Sequence, residues 1–373
     1  MSLECIEEHL ARFQIYDKAV DIVSCWEAYL SSVYGSEFDD FYFDRFPSLD
    51  DDEKELTPDF TAFFTEEYGI IAEIKRTFPS GDKAIRSELD QIAAYDQELA
   101  IQTNRGEYVT PETCDVLVLI EGSSAPQIGL RLQRMIDDEG ENFDAEPVML
   151  RYQYNQDALR SRYEFQRVTQ LQYEFQDGHL DVEKTLYITI GEGGDYETLP
   201  CFPQHFKSNK VQKPLCNDTP PGSYLATFLW HKIFPEDLTD EQYEKWQGSN
   251  GQSRLSITVS VSGVTERVNE YMQDGQVRKS WIRRSLEFLK KADLAESEDG
   301  EEYEIGYMGL VKDLGSDVVQ KDAGELAQTR ELGRTFVQRY CKKTGRSEDP
   351  KIEEDDNGSD DDSSEQSDFS DWT

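Results

Sequence analysis

The stretch from Thr57 to Phe78 constrains the fold more than any other part of this sequence. Tyr68-Gly69 divides it into two apolar and aromatic runs, a pattern that predicts two antiparallel strands joined by a tight turn. Because side chains alternate between the faces of a strand, Glu73 and Lys75 point the same way, together with Ile71. The opposite face holds apolar residues, Ile70, Ala72 and Ile74. An acid and a lysine fixed on one face of such a strand are costly to bury, so we expect them to serve a function.

Asp59, Glu73 and Lys75 together favour metal-assisted hydrolysis. Asp59 and Glu73 offer hard carboxylate oxygens, which Mg²⁺ prefers, and leave coordination positions for water and a phosphate. Lys75 suits the orientation or activation of the attacking water, because its ammonium is a compact and strongly hydrated charge. The three residues therefore predict a phosphoester-hydrolysing site.

These residues also resemble a known signature. Pro58-Asp59 is followed, after thirteen residues, by Glu73-Ile74-Lys75, which resembles the motif of the PD-(D/E)XK nuclease superfamily. The resemblance implies an α/β fold, the restriction-endonuclease-like mixed sheet flanked by helices, with Mg²⁺ or Mn²⁺ as cofactor. It also implies metal binding by Asp59, Glu73 and the main-chain carbonyl of Ile74, and a catalytic role for Lys75.

The predicted first helix, residues 2–34, contains a further candidate ligand. Apolar residues recur at three- and four-residue steps, which predicts a helix, in two pieces that meet near Tyr16-Asp17. Proteins of the resembling superfamily often have an additional acid on this helix, facing the metal, and Glu27 is the candidate. The alternative for Glu27 is an ordinary solvent-facing glutamate.

The helix predicted at Lys83–Leu99 contains the last candidate of this site. Gln91 and Tyr95 are four residues apart and share one helical face. Superfamily members have a glutamine, and often an aromatic residue, at this place, near the substrate backbone. Gln91 is therefore predicted to help hold the phosphate backbone; the alternative is an exposed surface glutamine.

The order of the remaining elements agrees with such a core. The aromatic, alternating run Phe38–Phe46 predicts the first strand, and the apolar run Cys114–Ile120 predicts a strand buried on both faces. A helix at Gln127–Asp137 and a strand at Pro147–Tyr154 follow. The order is helix, three strands, helix, strand, helix, strand.

The net charge of −39 argues against nucleic-acid binding unless basic residues are concentrated in one place. Such a concentration follows Pro221, where helix, strand, helix, turn, helix and hairpin succeed one another in winged-helix order. A helix is predicted at Val277–Leu294, and the segment Arg278–Glu296 resembles a recognition helix that runs into its wing. Seven residues are predicted to contact nucleic acid, namely Arg278, Lys279, Ser280, Arg283, Arg284, Lys290 and Lys291. The acidic hairpin after this helix favours the alternative, a winged helix used for dimerisation.

The sequence divides into four parts. Residues 1–155 form the nuclease-like domain, 156–220 a β-rich extension or connector, 221–346 the winged-helix domain with an additional helix at Ala323–Lys343, and 347–373 a disordered acidic tail. The tail is either a solubilising segment or a DNA mimic that covers the basic helix. Cys201, His205 and Cys216 lack the spacing and the fourth ligand of a zinc site.

The surroundings of the protein can be inferred from composition. Six scattered cysteines without a CxxC pair indicate reduced thiols in an intracellular protein. We expect no signal peptide, because glutamates occupy the start of the sequence. No run is long and apolar enough for a membrane helix. The sequence therefore predicts a soluble, cytoplasmic protein.

Together, these patterns predict a metal-dependent nuclease with double-stranded DNA as substrate, the winged helix binding that substrate. A homodimer is a further expectation, because cutting both strands usually requires two active sites. Two alternatives stay open: a non-catalytic DNA-binding regulator built on a nuclease-like fold, and an RNA-cleaving defence nuclease.

Overall fold

The structure is a computed structural model of the 373-residue chain. It describes residues 3–36, 38–51, 54–66, 68–75, 82–95, 99–122, 131, 148–155, 162–167, 186–188, 197–199, 206, 208–210, 212–242, 244, 255–272, 277–307, 321–346 and 349–350. Three predictions fall on residues that are not described: the helix at Gln127–Asp137 apart from residue 131, the pair Cys201 and His205, and the acidic tail beyond Pro350.

The N-terminal part of the chain builds a mixed, open sheet. Its elements, in chain order, are α1 (Leu3–Val33), β1 (Tyr42–Asp44), β2 (Leu49–Asp51), β3 (Lys54–Leu56), β4 (Phe60–Thr65), β5 (Tyr68–Lys75), α2 (Asp82–Tyr95), β6 (Ile101–Gln102), β7 (Tyr108–Val109), β8 (Thr113–Glu121), β9 (Val148–Asn155), β10 (Arg162–Arg167), β11 (Leu186–Ile188) and β12 (Glu197–Leu199). Six strands form the sheet, in the order β1-β4-β5-β8-β9-β10. The β5–β8 and β8–β9 pairs are parallel, and the other pairs in this sheet are antiparallel.

Each face of the sheet is covered by helix, as predicted for an α/β fold. Leu117 and Leu119 of β8 pack into the core beneath α1, whereas Val116, Val118 and Ile120 pack with α2. The central strand β8 is thus buried on both faces, which explains its unbroken apolar run. On β5 the same alternation places Ile70 and Ala72 on the α1 side and Ile71 on the α2 side. The predicted facing of β5 is confirmed.

Gly69 has a different role from the predicted one. The β4–β5 connection lies before Tyr68, so Tyr68 and Gly69 belong to β5 rather than to the turn. A Cβ at Gly69 would lie 2.8 Å from Ile101 Cδ1 and 2.9 Å from a side-chain carbon of Pro111. The glycine is therefore explained by close packing of the β6–β8 segment onto β5, not by turn geometry.

The C-terminal part combines helices with a small antiparallel sheet. Its elements are α3 (Gly222–Phe228), β13 (Leu255–Ser260), α4 (Val261–Met272), α5 (Lys279–Lys291), β14 (Ala295–Glu296), β15 (Glu302–Tyr307) and α6 (Lys321–Thr344). The three strands are ordered β13-β15-β14. The tip of the β14–β15 hairpin contains Gly300 with φ of 76°, a backbone conformation that glycine adopts without strain.

The two parts share one hydrophobic core. Phe13 of α1 packs against Tyr224 of α3 with ring centroids 4.9 Å apart, and one cluster of buried residues extends from Trp26 under the main sheet to Ile305 of β15. Gly333 of α6 lies so near Phe13 that a Cβ would approach its ring to 2.6 Å. The predicted boundaries at 155 and 221 therefore do not coincide with a break in the core.

Other outcomes concern single elements. Helix α1 is continuous for 31 residues, so the predicted division near Tyr16-Asp17 is wrong. The first strand is limited to Tyr42–Asp44, shorter than predicted. The last helix has Leu332, Phe336 and Tyr340 buried, as its pattern predicted.

Cysteine pairing differs from the sequence-based expectation. Cys5 at the start of α1 and Cys341 near the end of α6 are joined by a disulfide, with their Cα atoms 5.9 Å apart. The expectation of reduced thiols throughout is therefore wrong for this pair, which lies 336 residues apart in sequence. Among the residues that the structure describes, Cys25, Cys114 and Cys216 form no disulfide. Among the helices that the structure describes, none is long and apolar enough to span a bilayer.

Candidate active site

The site forms where β4 begins and β5 ends. The antiparallel register places Phe60 opposite Ala72, and the backbone N–H of Asp59 donates to the Ala72 carbonyl at 2.9 Å. The backbone N–H of Ile74 then donates to Asp59 Oδ2 at 2.6 Å. Strand pairing alone thus brings Asp59 beside the Glu73–Lys75 segment, fifteen residues further along the chain.

Glu73 is held by residues from β5 and α2. Lys75 Nζ donates to Glu73 Oε1 at 2.8 Å, and Gln91 Nε2 approaches the same oxygen at 3.4 Å. The Tyr95 hydroxyl donates to Glu73 Oε2 at 3.1 Å. Both oxygens of Glu73 are therefore oriented by neighbouring donors, and the side chain is only 9% exposed.

Helix α2 closes this network from the other side. Lys75 Nζ donates to Gln91 Oε1 at 2.9 Å, and Gln91 Nε2 donates to the Tyr95 hydroxyl at 2.9 Å. Gln91 and Tyr95 are adjacent on one helical face because they are four residues apart. The hydroxyl of Tyr95 accepts a hydrogen bond from Gln91 and donates one to Glu73, so it fixes the position of Gln91 relative to Glu73. The structure thus brings Glu73, Lys75 and Gln91 together.

Burial and like charge dominate the electrostatics. Burial raises the pKa of Asp59 well above its usual range, and the nearby carboxylates of Glu73 and Asp218 raise it further. The Ile74 N–H and the Lys75 ammonium act in the opposite direction and do not compensate. Burial and the Glu73 carboxylate likewise raise the pKa of Tyr95, so its hydroxyl remains protonated and able to donate. A cation placed between the carboxylates would relieve this repulsion.

Asp218 is an acid of this site that the sequence did not reveal. Asn217 Nδ2 donates to the carbonyls of Pro47 and Pro58, each at 2.8 Å. These two contacts pin the segment beside Asp59 and place the half-buried Asp218 within electrostatic range of it. No motif surrounds Asp218, and the Asn217–Pro58 contact spans 159 residues, so the sequence contained no local signal for it.

Glu27 belongs to another network. Arg45 donates to Glu27 Oε2 at 2.7 Å, Asn209 donates to the same oxygen at 3.2 Å, and Lys213 donates to Oε1 at 2.8 Å. Burial acts to raise the pKa of Glu27, but the two cations outweigh it and lower that pKa.

The position of Glu27 in the fold explains why it does not join the site of Asp59 and Glu73. Helix α1 covers the sheet face of Ile70 and Ala72, whereas Glu73 and Lys75 point toward α2. Glu27 therefore ties α1 to β1 and to the 209–213 segment. The prediction that Glu27 binds the metal is therefore wrong, and Glu27 has a structural role in an ion-pair network.

The predicted recognition helix α5 is surrounded by other elements. Six residues of this helix are buried because α3, α4 and α6 all pack on it, namely Trp281, Ile282, Ser285, Leu286, Phe288 and Leu289. Ser285 Oγ donates to the Gly222 carbonyl at 3.2 Å, and the ring of Phe288 stacks on Tyr340 with centroids 4.5 Å apart. The solvent-accessible face of α5 is thus narrower than the sequence predicted.

The polar residues of α5 and of the adjoining Arg278 differ in solvent exposure. Lys279 is exposed, whereas the other predicted contacts are half-buried, namely Arg278, Ser280, Arg283, Arg284, Lys290 and Lys291. Arg283 forms an ion pair with Glu301 of the acidic hairpin, and Lys290 lies 3.4 Å from Glu287. Arg283 and Lys290 are therefore each partly neutralised by an acidic neighbour.

Comparisons of this chain with protein-family models, with curated proteins and with solved structures found no match.

Proposed function

We propose that this protein is a Mg²⁺-dependent nuclease that hydrolyses phosphodiester bonds in DNA, with a catalytic site of the PD-(D/E)XK, restriction-endonuclease-like kind. The convergence of Asp59, Glu73, Lys75 and Gln91 at the β4–β5 corner carries this proposal. Two buried carboxylates that repel each other, beside one lysine, match the oxygen-rich and anionic surroundings that Mg²⁺ or Mn²⁺ requires.

In this proposal, Asp59, Glu73 and the main-chain carbonyl of Ile74 hold the metal. Bound Mg²⁺ would polarise the scissile phosphate and lower the pKa of the attacking water. Lys75 would orient that water, because its ammonium is already fixed between Glu73 and Gln91. Gln91 would contact the phosphate backbone once substrate displaces one of its present hydrogen bonds, and Tyr95 keeps Glu73 in position.

We further propose that the C-terminal part acts as a winged helix that contacts the substrate. The element order from α3 to β15 and the strand order β13-β15-β14 support it. Arg278, Lys279 and Ser280 lie at the N-terminal end of α5, where the helix dipole also favours phosphate. The Arg283–Glu301 pair makes the middle of α5 a weaker contact than this end.

Cleavage assays with the full-length protein test the catalytic proposal. Single-stranded DNA, double-stranded DNA and RNA are incubated with Mg²⁺, with Mn²⁺ or with chelator. We expect metal-dependent cleavage of DNA that falls by about 10²-fold or more in Lys75→Ala, since positioned proton-transfer groups contribute that much. Lys83→Ala, which removes an exposed lysine at the start of α2, is the matched control and should retain activity.

The outcomes separate the alternatives. Equal activity of Lys75→Ala and wild type would refute the assigned mechanism. Cleavage of RNA but not DNA would show that the substrate proposal is wrong while the site is right. Absence of cleavage from every substrate, with DNA still bound, would favour a non-catalytic DNA-binding regulator.

A further inference from the structure

A second cluster of potential ligands lies where α1 and α6 meet, and nuclease chemistry does not use it. Cys5 and His9 are one helical turn apart on α1, and Cys341 faces them from α6. One sulfur or ring nitrogen from each of the three residues lies within 4.8 Å of the others. All three side chains are at least 98% buried. Such a group has the residue types and spacing of a transition-metal site.

His9 shows that the cluster is incomplete without a ligand. Its Nδ1 atom is buried and has no hydrogen-bond partner among the residues that the structure describes, and the same holds for Asp349 Oδ1. These two atoms are 3.7 Å apart, too far for a hydrogen bond. The buried Nδ1 atom of His9 therefore faces a carboxylate without forming a hydrogen bond to it.

Neighbouring groups orient these ligands. The backbone N–H of Gly222 donates to the second oxygen of Asp349 at 2.8 Å, which leaves Oδ1 directed toward His9. His9 Nε2 lies 3.4 Å from the carbonyl of Arg346, and the ring packs edge-on against Tyr340. Outer contacts of this kind fix the orientation of metal-bound imidazole and carboxylate groups.

We propose that, in the reduced protein, Cys5, His9 and Cys341 bind Zn²⁺, with Asp349 as an outer contact of the His9 imidazole. Two thiolates and one imidazole form a borderline-soft set that favours Zn²⁺ over Mg²⁺.

The disulfide and the metal exclude each other. A thiol reductant supplies two electrons and two protons to the Cys5–Cys341 bond and is itself oxidised to a disulfide, which yields two cysteine thiols. Zn²⁺ then displaces the two thiol protons and binds the thiolates. Helices α1 and α6 stay joined in both states, covalently in the oxidised protein and through the metal in the reduced one.

Cobalt substitution tests this site in the full-length protein. The chain is reduced with a thiol reductant, freed of it without air, and titrated with Co²⁺, after which Zn²⁺ is added in competition. We expect cobalt–thiolate charge-transfer absorption that saturates at one ion per chain and disappears on addition of Zn²⁺. Asp59 and Glu73 cannot produce this absorption, because they offer only oxygen ligands.

Substitutions at the proposed ligands test which residues bind the metal. Cys341→Ser should abolish the absorption, and His9→Ala should weaken Co²⁺ binding at least about tenfold. Cys114→Ser, which alters a half-buried cysteine outside this cluster, should leave the absorption unchanged. Absence of the absorption in reduced wild type, its persistence in Cys341→Ser, or equal binding by the oxidised protein would each overturn the proposal.

Discussion

Replacement of Asp59 by asparagine should stabilise the protein when no metal is present. Asp59 is 8% exposed, and burial together with the Glu73 and Asp218 carboxylates raises its pKa well above the usual range. An acid whose folded-state pKa is raised favours folding while it is protonated, and this contribution is lost as the pH rises through the folded-state pKa. The ionised carboxylate therefore destabilises the metal-free protein, and Asp59→Asn removes that charge.

The magnitude follows from two opposing changes. The introduced asparagine keeps an oxygen that can accept from the Ile74 N–H, which lies 2.6 Å from Asp59 Oδ2 in the wild type. The change from a charged to a neutral acceptor costs about 1 kcal/mol. Removal of a poorly compensated buried charge raises the free energy of unfolding by roughly 2–4 kcal/mol. The net gain is about 1–3 kcal/mol, or roughly 1–4 °C in melting temperature for a chain of this size.

Mg²⁺ should reverse this order. A ligand that binds only the folded state stabilises it by about 2.7 kcal/mol at a hundredfold excess over its Kd. Wild type would gain this stabilisation, whereas Asp59→Asn, with one carboxylate ligand removed, would gain much less. The variant is thus expected to be the more stable protein in chelator and the less stable one in Mg²⁺.

Urea or thermal unfolding in chelator and in Mg²⁺, over a range of pH, measures both effects. The advantage of the variant in chelator should be complete above the folded-state pKa of Asp59 and should vanish below about pH 4, where aspartate is protonated in the unfolded chain as well. Asp240→Asn, at an exposed position, is the control and should change little. A less stable Asp59→Asn in chelator at high pH, or an equal gain from Mg²⁺ in both proteins, would refute the reasoning.

Two further substitutions test the contacts around the site. Tyr95→Phe removes the hydroxyl that donates to Glu73 Oε2, and should lower the free energy of unfolding by about 1.5–3 kcal/mol in urea titrations; an unchanged value would contradict this contact. Arg45→Met leaves the buried Glu27 carboxylate poorly compensated and should cost about 3–5 kcal/mol, whereas Arg105→Met, which removes a pair on the surface, should cost at most about 1 kcal/mol. Equal losses in the two arginine variants would show that Arg45 does not stabilise the buried network.

The local periodicity of the sequence predicted much of the candidate site. Alternation along β5 placed Glu73 and Lys75 on one face, and the four-residue spacing of Gln91 and Tyr95 placed both on one side of α2. The unbroken apolar run of β8 predicted a strand buried on both faces. These features depend only on the repeat of a strand or a helix, which neighbouring residues fix.

Tertiary structure alone decided which faces meet. Periodicity placed Glu27 on the inner side of α1, but only the sheet order shows that α1 covers the face opposite Glu73, where Arg45 and Lys213 are its partners. The approach of Asn217 to Pro58 and the pairing of Cys5 with Cys341 connect residues 159 and 336 positions apart. Such contacts depend on how helices and strands pack in space, a choice that local sequence patterns do not encode. The sequence thus determined the catalytic candidates on β5 and α2. The contact of Asn217 with Pro58 placed Asp218 beside Asp59, and the packing of α1 on the opposite face of the sheet separated Glu27 from Glu73.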